Sequence, residues 1–132
     1  GFGVLPSIGL AEELNVAPGS DTLVNVVGYG YQASRPESVD EKVRYQATPM
    51  LVEVNSIRWG EWNIHVSSNP GVGGGTGGPC HGDSGGPALA AIDSDTILGV
   101  GSSMRNNNCR GIVYYYRIDT EYAQAFISQY LP

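Results

Sequence analysis

Short runs of β-branched and aromatic residues, each bounded by Gly, Pro, Asn or Ser, fill the middle of the chain. They cover Thr22–Tyr29, Val43–Ala47, Met50–Asn55, Glu61–Val66, Pro87–Ile92, Thr96–Ser102 and Ile112–Ile118, and they predict short strands. With no helical period between them, the pairing is expected to be antiparallel. Period-two alternation puts Trp62, Ile64 and Val66 on one face of their strand and Asn63 and His65 on the other, with His65 expected as a surface imidazole. Ahead of the strands, residues 1–20 predict a connector with one short helix: Ser7 is available to cap, Ile8, Leu10 and Leu14 form a rough stripe, and Pro18-Gly19 stops it. After Asp119 the period changes. Tyr122, Phe126 and Tyr130 fall four apart with Ala123, Ile127 and Leu131 beside them, predicting an amphipathic helix over 119–132 capped by Asp119 or Thr120. Strands over 21–118 and a closing helix fit a small antiparallel barrel or a sandwich.

Composition narrows the setting. At 132 residues the chain has room for a single core. Only 15% of its residues are charged, which argues against disorder, and its nineteen glycines mark turns. A net charge of −6, with Lys42 the one lysine, would be repelled by a phosphate backbone or an anionic bilayer, so neither nucleic acid nor membrane is an expected partner. No apolar run is long enough to span a bilayer. Cys80 and Cys109 are either buried thiols or a bridge; low lysine and high glycine fit an oxidising compartment better than the cytosol. The chain opens Gly1-Phe2-Gly3, without methionine, which reads as a processed product or a piece of something longer. Two cysteines and two histidines lack zinc-site spacing, and the acids at 37, 40 and 41 lack the spacing of a calcium loop. Trp59, Trp62 and Tyr114-Tyr115-Tyr116 come without basic neighbours and read as packing.

The chemistry is concentrated in Gly71–Pro87, GVGGGTGGPCHGDSGGP. A flexible loop accounts for its first half. The string Gly-Asp-Ser-Gly-Gly-Pro it does not account for, since average composition would produce it in a chain this long on the order of once in 10⁵. A serine hydroxyl attacks a carbonyl only when a base takes its proton and amide donors face the oxygen that becomes negative. Flanking glycines let backbone N–H groups turn toward that oxygen. Ser84 is therefore the candidate nucleophile, and the amides of Gly82 and Ser84 the candidate oxyanion donors. The same residues satisfy Gly-x-Ser-x-Gly, the elbow of α/β-hydrolases, but an elbow leads into a helix and Gly85-Gly86-Pro87 is a poor helix start. Its histidine must also follow the serine, and none follows His81.

These residues resemble the chymotrypsin-type serine proteases, and specifically the C-terminal barrel of bacterial secreted, trypsin-like members. Val27-Gly28-Tyr29-Gly30 is similar to the strand and turn that open that barrel, Leu98–Ser102 to the strand beside which substrate lies, and Tyr115-Tyr116-Arg117-Ile118 to its last strand. The resemblance implies an all-β fold, a six-stranded antiparallel Greek-key barrel with a C-terminal α-helix, one half of a double-barrel enzyme. It implies Ser84 as acyl nucleophile, Gly82 and Ser84 as the oxyanion hole, and Asp83 as the acid that pairs with a freed amino terminus in many members. It implies a Cys80–Cys109 bridge flanking a specificity pocket with Gly78 at its base, Val113 opposite and His81 at the rim, Pro79 among the substrate-binding residues, and Ser102, Ser103 and Met104 pairing with the peptide substrate. Trypsin itself carries an aspartate where this chain has Gly78, so an uncharged, small or apolar preference is expected.

The family's triad runs His, Asp, Ser along the chain, with the first two on an N-terminal barrel. Nothing here matches that barrel, and neither His65 nor His81 has the expected surroundings. The expectation is the C-terminal half of a secreted serine endopeptidase, needing no cofactor and completed by an N-terminal barrel that carries the catalytic His and Asp. The competing expectation is a non-catalytic pseudoprotease or binding module on the same barrel.

Overall fold

A computed structural model describes residues 3–15, 21–34, 36–56, 60–68 and 77–132. Pro18-Gly19, Trp59 and the glycines of 71–75 lie outside the described residues. Seven strands form one antiparallel sheet: β1 (Asn25–Gly28), β2 (Tyr45–Ala47), β3 (Leu51–Ser56), β4 (Gly60–Ser67), β5 (Pro87–Leu89), β6 (Ile97–Met104) and β7 (Ile112–Arg117). Their order is β2-β1-β5-β6-β7-β4-β3.

The sheet closes on itself because its two outer strands are nearly one. β2 and β3 are separated only by Thr48–Met50, and the segment leading into β1 bonds across that bend. Val24 N–H donates to Pro49 O at 3.0 Å, Leu51 N–H donates to Thr22 O at 2.8 Å, and Leu23 faces Met50. Counting β2 and β3 as one bent strand leaves a six-stranded barrel, the fold expected from the sequence. Closure removes the edges that an open sheet of this size would expose.

Alternation fills the interior. Val24, Val26, Leu51, Ile64, Val66, Ala88, Leu98, Val113 and Tyr115 are all buried and form one core, joined by Ala11 from the connector. Trp62, expected on the same face as Ile64 and Val66, is 47% exposed and meets Tyr122 edge-on, because β4 has left the barrel interior by that end.

Two short helices flank the barrel, α1 (Leu10–Leu14) and α2 (Glu121–Ile127). Ser7 does not cap α1. That position belongs to Gly9, whose φ of 81° only glycine adopts without strain, and Ser7 contributes a backbone carbonyl to Leu10 N–H instead. Thr120 does cap α2, its hydroxyl accepting from Ala123 N–H at 3.2 Å. Tyr122, Phe126 and Tyr130 form the outer face of α2 and its extension, whereas Ala123 is buried and Gln124 reaches the connector at Pro6 O, 2.7 Å away. Arg117, at the end of β7, ties α1 to the barrel through bonds to Asp119, Glu12 and Asn55.

Candidate functional site

The segment Cys80–Gly86 is two tight turns set end to end. Asp83 N–H donates to Cys80 O at 3.2 Å and closes the first; Gly86 N–H donates to Asp83 O at 2.9 Å and closes the second. Each turn has a positive φ at its third residue, 94° at Gly82 and 84° at Gly85, the backbone state that favours glycine there. This explains the spacing of Gly-Asp-Ser-Gly-Gly. Ser84 is the second residue of the second turn, the position that throws a side chain outward, and it is exposed.

A tight turn engages the amide of its last residue and leaves the middle ones idle. In this pair of turns the idle amides are those of His81, Gly82 and Ser84, which take no partner among the described residues. The amides of Cys80, Asp83, Gly85 and Gly86 are committed. Cys80 N–H donates to Asp83 Oδ2, Gly85 N–H to Gly101 O, and Gly101 N–H returns to Gly86 O. Tyr31 N–H holds the first turn from outside by donating to His81 O at 2.8 Å.

Asp83 points away from Ser84, into the barrel end. Its Oδ1 accepts from Gly30 N–H at 2.8 Å and its Oδ2 from Cys80 N–H at 2.8 Å. The carboxylate lies against the backbone of Gly28 and Gly30: a Cβ at Gly28 would collide with Oδ1, and one at Gly30 would stand 2.6 Å from Cγ. Gly28-Tyr29-Gly30 is thus a seat for an acid 53 residues later, a role its resemblance to a barrel-opening turn does not reveal.

Two cavities meet at this acid. One of about 350 Å³ is lined by Gly28, Gly30, Glu41, Tyr45 and Gly78 among others; the second, of only about 20 Å³, is lined by Ser84, Ser102, Ser103, Met104 and Val113. Pro79, Asp83 and Tyr115 line both. Tyr115 is therefore the wall between them, and burial, with Asp83 adding to it, pushes its phenol far above the ordinary tyrosine range. The sequence marks Tyr115 only as a strand residue.

Gly78, Pro79 and Val113, expected around one pocket, are divided: Pro79 and Val113 line the 20 Å³ space, whereas Gly78 borders the 350 Å³ cavity and another of about 520 Å³ beside Cys80 and Cys109. Val113 is buried at 4% exposure. A Cβ on Gly78 would overlap Ser68 Cα and stand 2.8 Å from Ser67 O. Cys80 and Cys109 are joined in a disulfide that fastens the first turn to the loop between β6 and β7.

Beyond β5, which ends opposite Val100, β6 continues to Met104 with only β7 beside it among the described residues. Ser102, Ser103 and Met104 consequently offer an open strand edge next to Ser84.

Neither histidine bonds to Ser84. His81 directs Nε2 to Asn107 O at 3.0 Å and meets Tyr31 edge-on. His65 is not on the surface: it is 3% exposed, under the ring of Tyr114 at 4.7 Å, with Nδ1 3.1 Å from Glu53. Alternation places it opposite Ile64 correctly, yet Tyr114 from β7 covers that face. Burial holds its imidazole below the usual histidine range despite the opposing pull of Glu53. Among the described residues no cluster of three His, Cys, Asp or Glu side chains could hold a metal, and no helix is long and apolar enough to cross a membrane.

No protein-family model and no curated protein matches the chain. Solved structures do. HL collagenase matches at 24% identity and a TM-score of 0.63 over 96% of this chain and 51% of its own. A mutant of human heparin binding protein (CAP37) matches at 19% and 0.64, over 97% of this chain and 49% of its own. The scabies mite inactivated protease paralogue S-I1 matches at 20% and 0.58, over 96% and 52%. This chain spans about half the length of each, and what it shares with them is the fold, a trypsin-like β-barrel.

Proposed function

We propose that this chain is the nucleophile-bearing half of a secreted serine endopeptidase, similar to the bacterial trypsin-like enzymes. One observation carries the reading: the exposed hydroxyl of Ser84 sits in a bend of two linked turns that leaves the amides of Gly82 and Ser84 without a partner among the described residues. Ser84 Oγ attacks the scissile carbonyl and gives its proton to an imidazole supplied by an N-terminal barrel, held in turn by that barrel's aspartate. The Gly82 and Ser84 amides receive the oxyanion. The C–N bond then breaks, the imidazole returns the proton to the leaving amine, and water repeats the sequence on the acyl-enzyme. The open edge of Ser102, Ser103 and Met104 takes the acyl-side peptide as an added antiparallel strand, with His81 at the rim.

The 20 Å³ space beside Ser84 is about one water in size; Pro79 and Val113 supply no charge to it, and the Asp83 carboxylate that also borders it is taken up by the Gly30 and Cys80 amides. A small uncharged residue on the acyl side fits it. Asp83, already seated on two backbone amides and facing the 350 Å³ cavity, is placed to receive a freed amino terminus. The disulfide supports an oxidising destination.

A serine-directed phosphonate should label Ser84 in the complete polypeptide and hardly at all in these 132 residues alone. Absence of labelling in the complete polypeptide would defeat the hydrolytic reading. Equal labelling of both would mean that this half carries its own base. A second reading, a non-catalytic binding module, draws on the fact that neither His65 nor His81 bonds to Ser84. One structural neighbour is named as a heparin binding protein and another as an inactivated paralogue, so this barrel does not by itself entail hydrolysis. The same labelling separates the two.

A further inference from the structure

The open edge of β6 leads from Ser84 toward a second, much larger space. Asn63 of β4, Ser103 and Met104 of β6, Tyr114 of β7 and the following Arg105 line a cavity of about 310 Å³. β6 runs from Ser102 toward Arg105, so an antiparallel peptide whose acyl residue lies at Ser102 places its third and fourth upstream residues beside Met104 and Arg105, at about 3.3 Å per residue. Along the β6 edge the space is about 20 Å³ beside the proposed nucleophile and about 310 Å³ here, so a large side chain of a peptide on that edge fits the second space.

Its charge is opposite to that of the molecule. The chain carries −6, yet no acid occurs between Asp95 and Asp119, a stretch that holds Arg105, Arg110 and Arg117. Arg117 is committed to Asp119 and Glu12, whereas Arg105 is exposed and forms no ion pair among the described residues. Among the described residues no carboxylate lines the cavity, and Asn63 and Ser103 add neutral donors. Glu53, the acid in the cross-strand row that runs Glu53, His65, Tyr114, Ser103, is on β3, three strands from β6, and is engaged by His65.

We propose that Arg105, with Asn63 and Ser103, selects an acidic side chain three to four residues upstream of the scissile bond. This rests on the proposed function, in that it takes Ser84 as nucleophile and Ser102–Met104 as the substrate edge. A guanidinium meeting a carboxylate inside a cavity forms paired, charge-assisted bonds that an amide cannot reproduce.

The test uses the complete polypeptide and peptides ending in a small acyl residue, identical except for Glu or Gln at the third or fourth upstream position. Binding is measured by titration calorimetry in Ser84→Ala, where turnover cannot intervene. The Glu peptide should bind about tenfold more tightly, still so in 0.5 M salt, with the ratio near one in Arg105→Ala and below one in Arg105→Glu. Equal binding of Glu and Gln peptides overturns the subsite and leaves the hydrolase reading standing, as does a preference that Arg105→Ala retains or that salt abolishes. Binding of neither peptide overturns the substrate edge and the subsite with it. Turnover by the unsubstituted polypeptide is scored separately: an intact Glu preference in binding without cleavage of either peptide sinks the hydrolase reading alone.

Discussion

At Ser84 the requirements on the chain are local, so they are written into consecutive residues. Two abutting turns need glycine at their third positions, the proposed nucleophile takes the outward position, and the residue before it turns back to anchor the bend. All of that is legible in Gly82–Gly86 without knowing what surrounds it. The surroundings are not. Gly78, which the sequence resemblance sets at the position of trypsin's aspartate, has its backbone packed so closely on Ser67 and Ser68 that even a methyl group has no place. Gly78→Asp should therefore fail to create a preference for Arg or Lys. It should instead cost at least about 2 kcal/mol of stability, because backbone atoms cannot yield as a side chain would and overpacking typically costs 1–3 kcal/mol. Urea unfolding of the variant beside a peptide-specificity profile checks both parts. A stable variant that binds Arg peptides would show that the Ser67–Ser68 segment can move aside. His65 illustrates the opposite limit of sequence reading: alternation assigns it a face, but only the arrival of Tyr114 from a strand 49 residues later decides that the face is covered.

Elements are legible where their period is intrinsic and illegible where their orientation depends on a neighbour. The period of 119–131 announces a helix, and Thr120 starts it, yet the aromatic row that looks like its buried stripe is its outer face. What orients α2 is the narrower pair Ala123 and Gln124, seated against the connector at Pro6. The connector is itself held by a contact no local pattern could reveal. Arg117 is 3% exposed; burial opposes its charge, but Asp119 and Glu12 outweigh that and keep it firmly protonated. Asp119, fully buried, also accepts from Ala11 N–H at 2.7 Å, so the first turn of α1 ends on the same carboxylate. Arg117→Ala would leave Asp119 buried without its cation, a situation that typically costs 3–5 kcal/mol. The expected loss lies in that range by urea unfolding, and proteolysis should then cut within residues 3–15 first, because α1 loses its tether. Paired replacement, Arg117→Met with Asp119→Ala, should restore part of the stability, since a well-packed apolar pair avoids the uncompensated charge. If the single and double variants unfold alike, α1 is held by apolar packing on the core and not by the clamp.

For the molecule as a whole, two opposing effects set the response to acid. With −6 at pH 7 and an isoelectric point near 4.6, general charge repulsion fades as pH falls, which by itself would make the barrel more stable in mild acid. Two particular groups act the other way. His65 is kept neutral by burial, so the unfolded chain takes up a proton on it more readily than the folded one; its contribution is complete above the ordinary histidine value of 6.5 and is lost as pH falls below it. Glu12, held below its ordinary 4.5 by the hydrogen bond from Arg117, contributes fully above that value and is lost as pH falls through its lower folded value. Stability should accordingly decline in two stages, the first beginning near pH 6.5 and the second below about 4.5, even as the net charge approaches zero. Urea unfolding at closely spaced pH values checks the sum, and two variants separate its parts. His65→Phe keeps a ring under Tyr114 without a titrating nitrogen and should flatten the first stage alone; Glu12→Gln should flatten the second and leave the first. Stability that rises steadily toward pH 4.6 would mean that the molecule feels its total charge more than these two sites, and that the row linking Glu53, His65 and Tyr114 yields to protonation without strain.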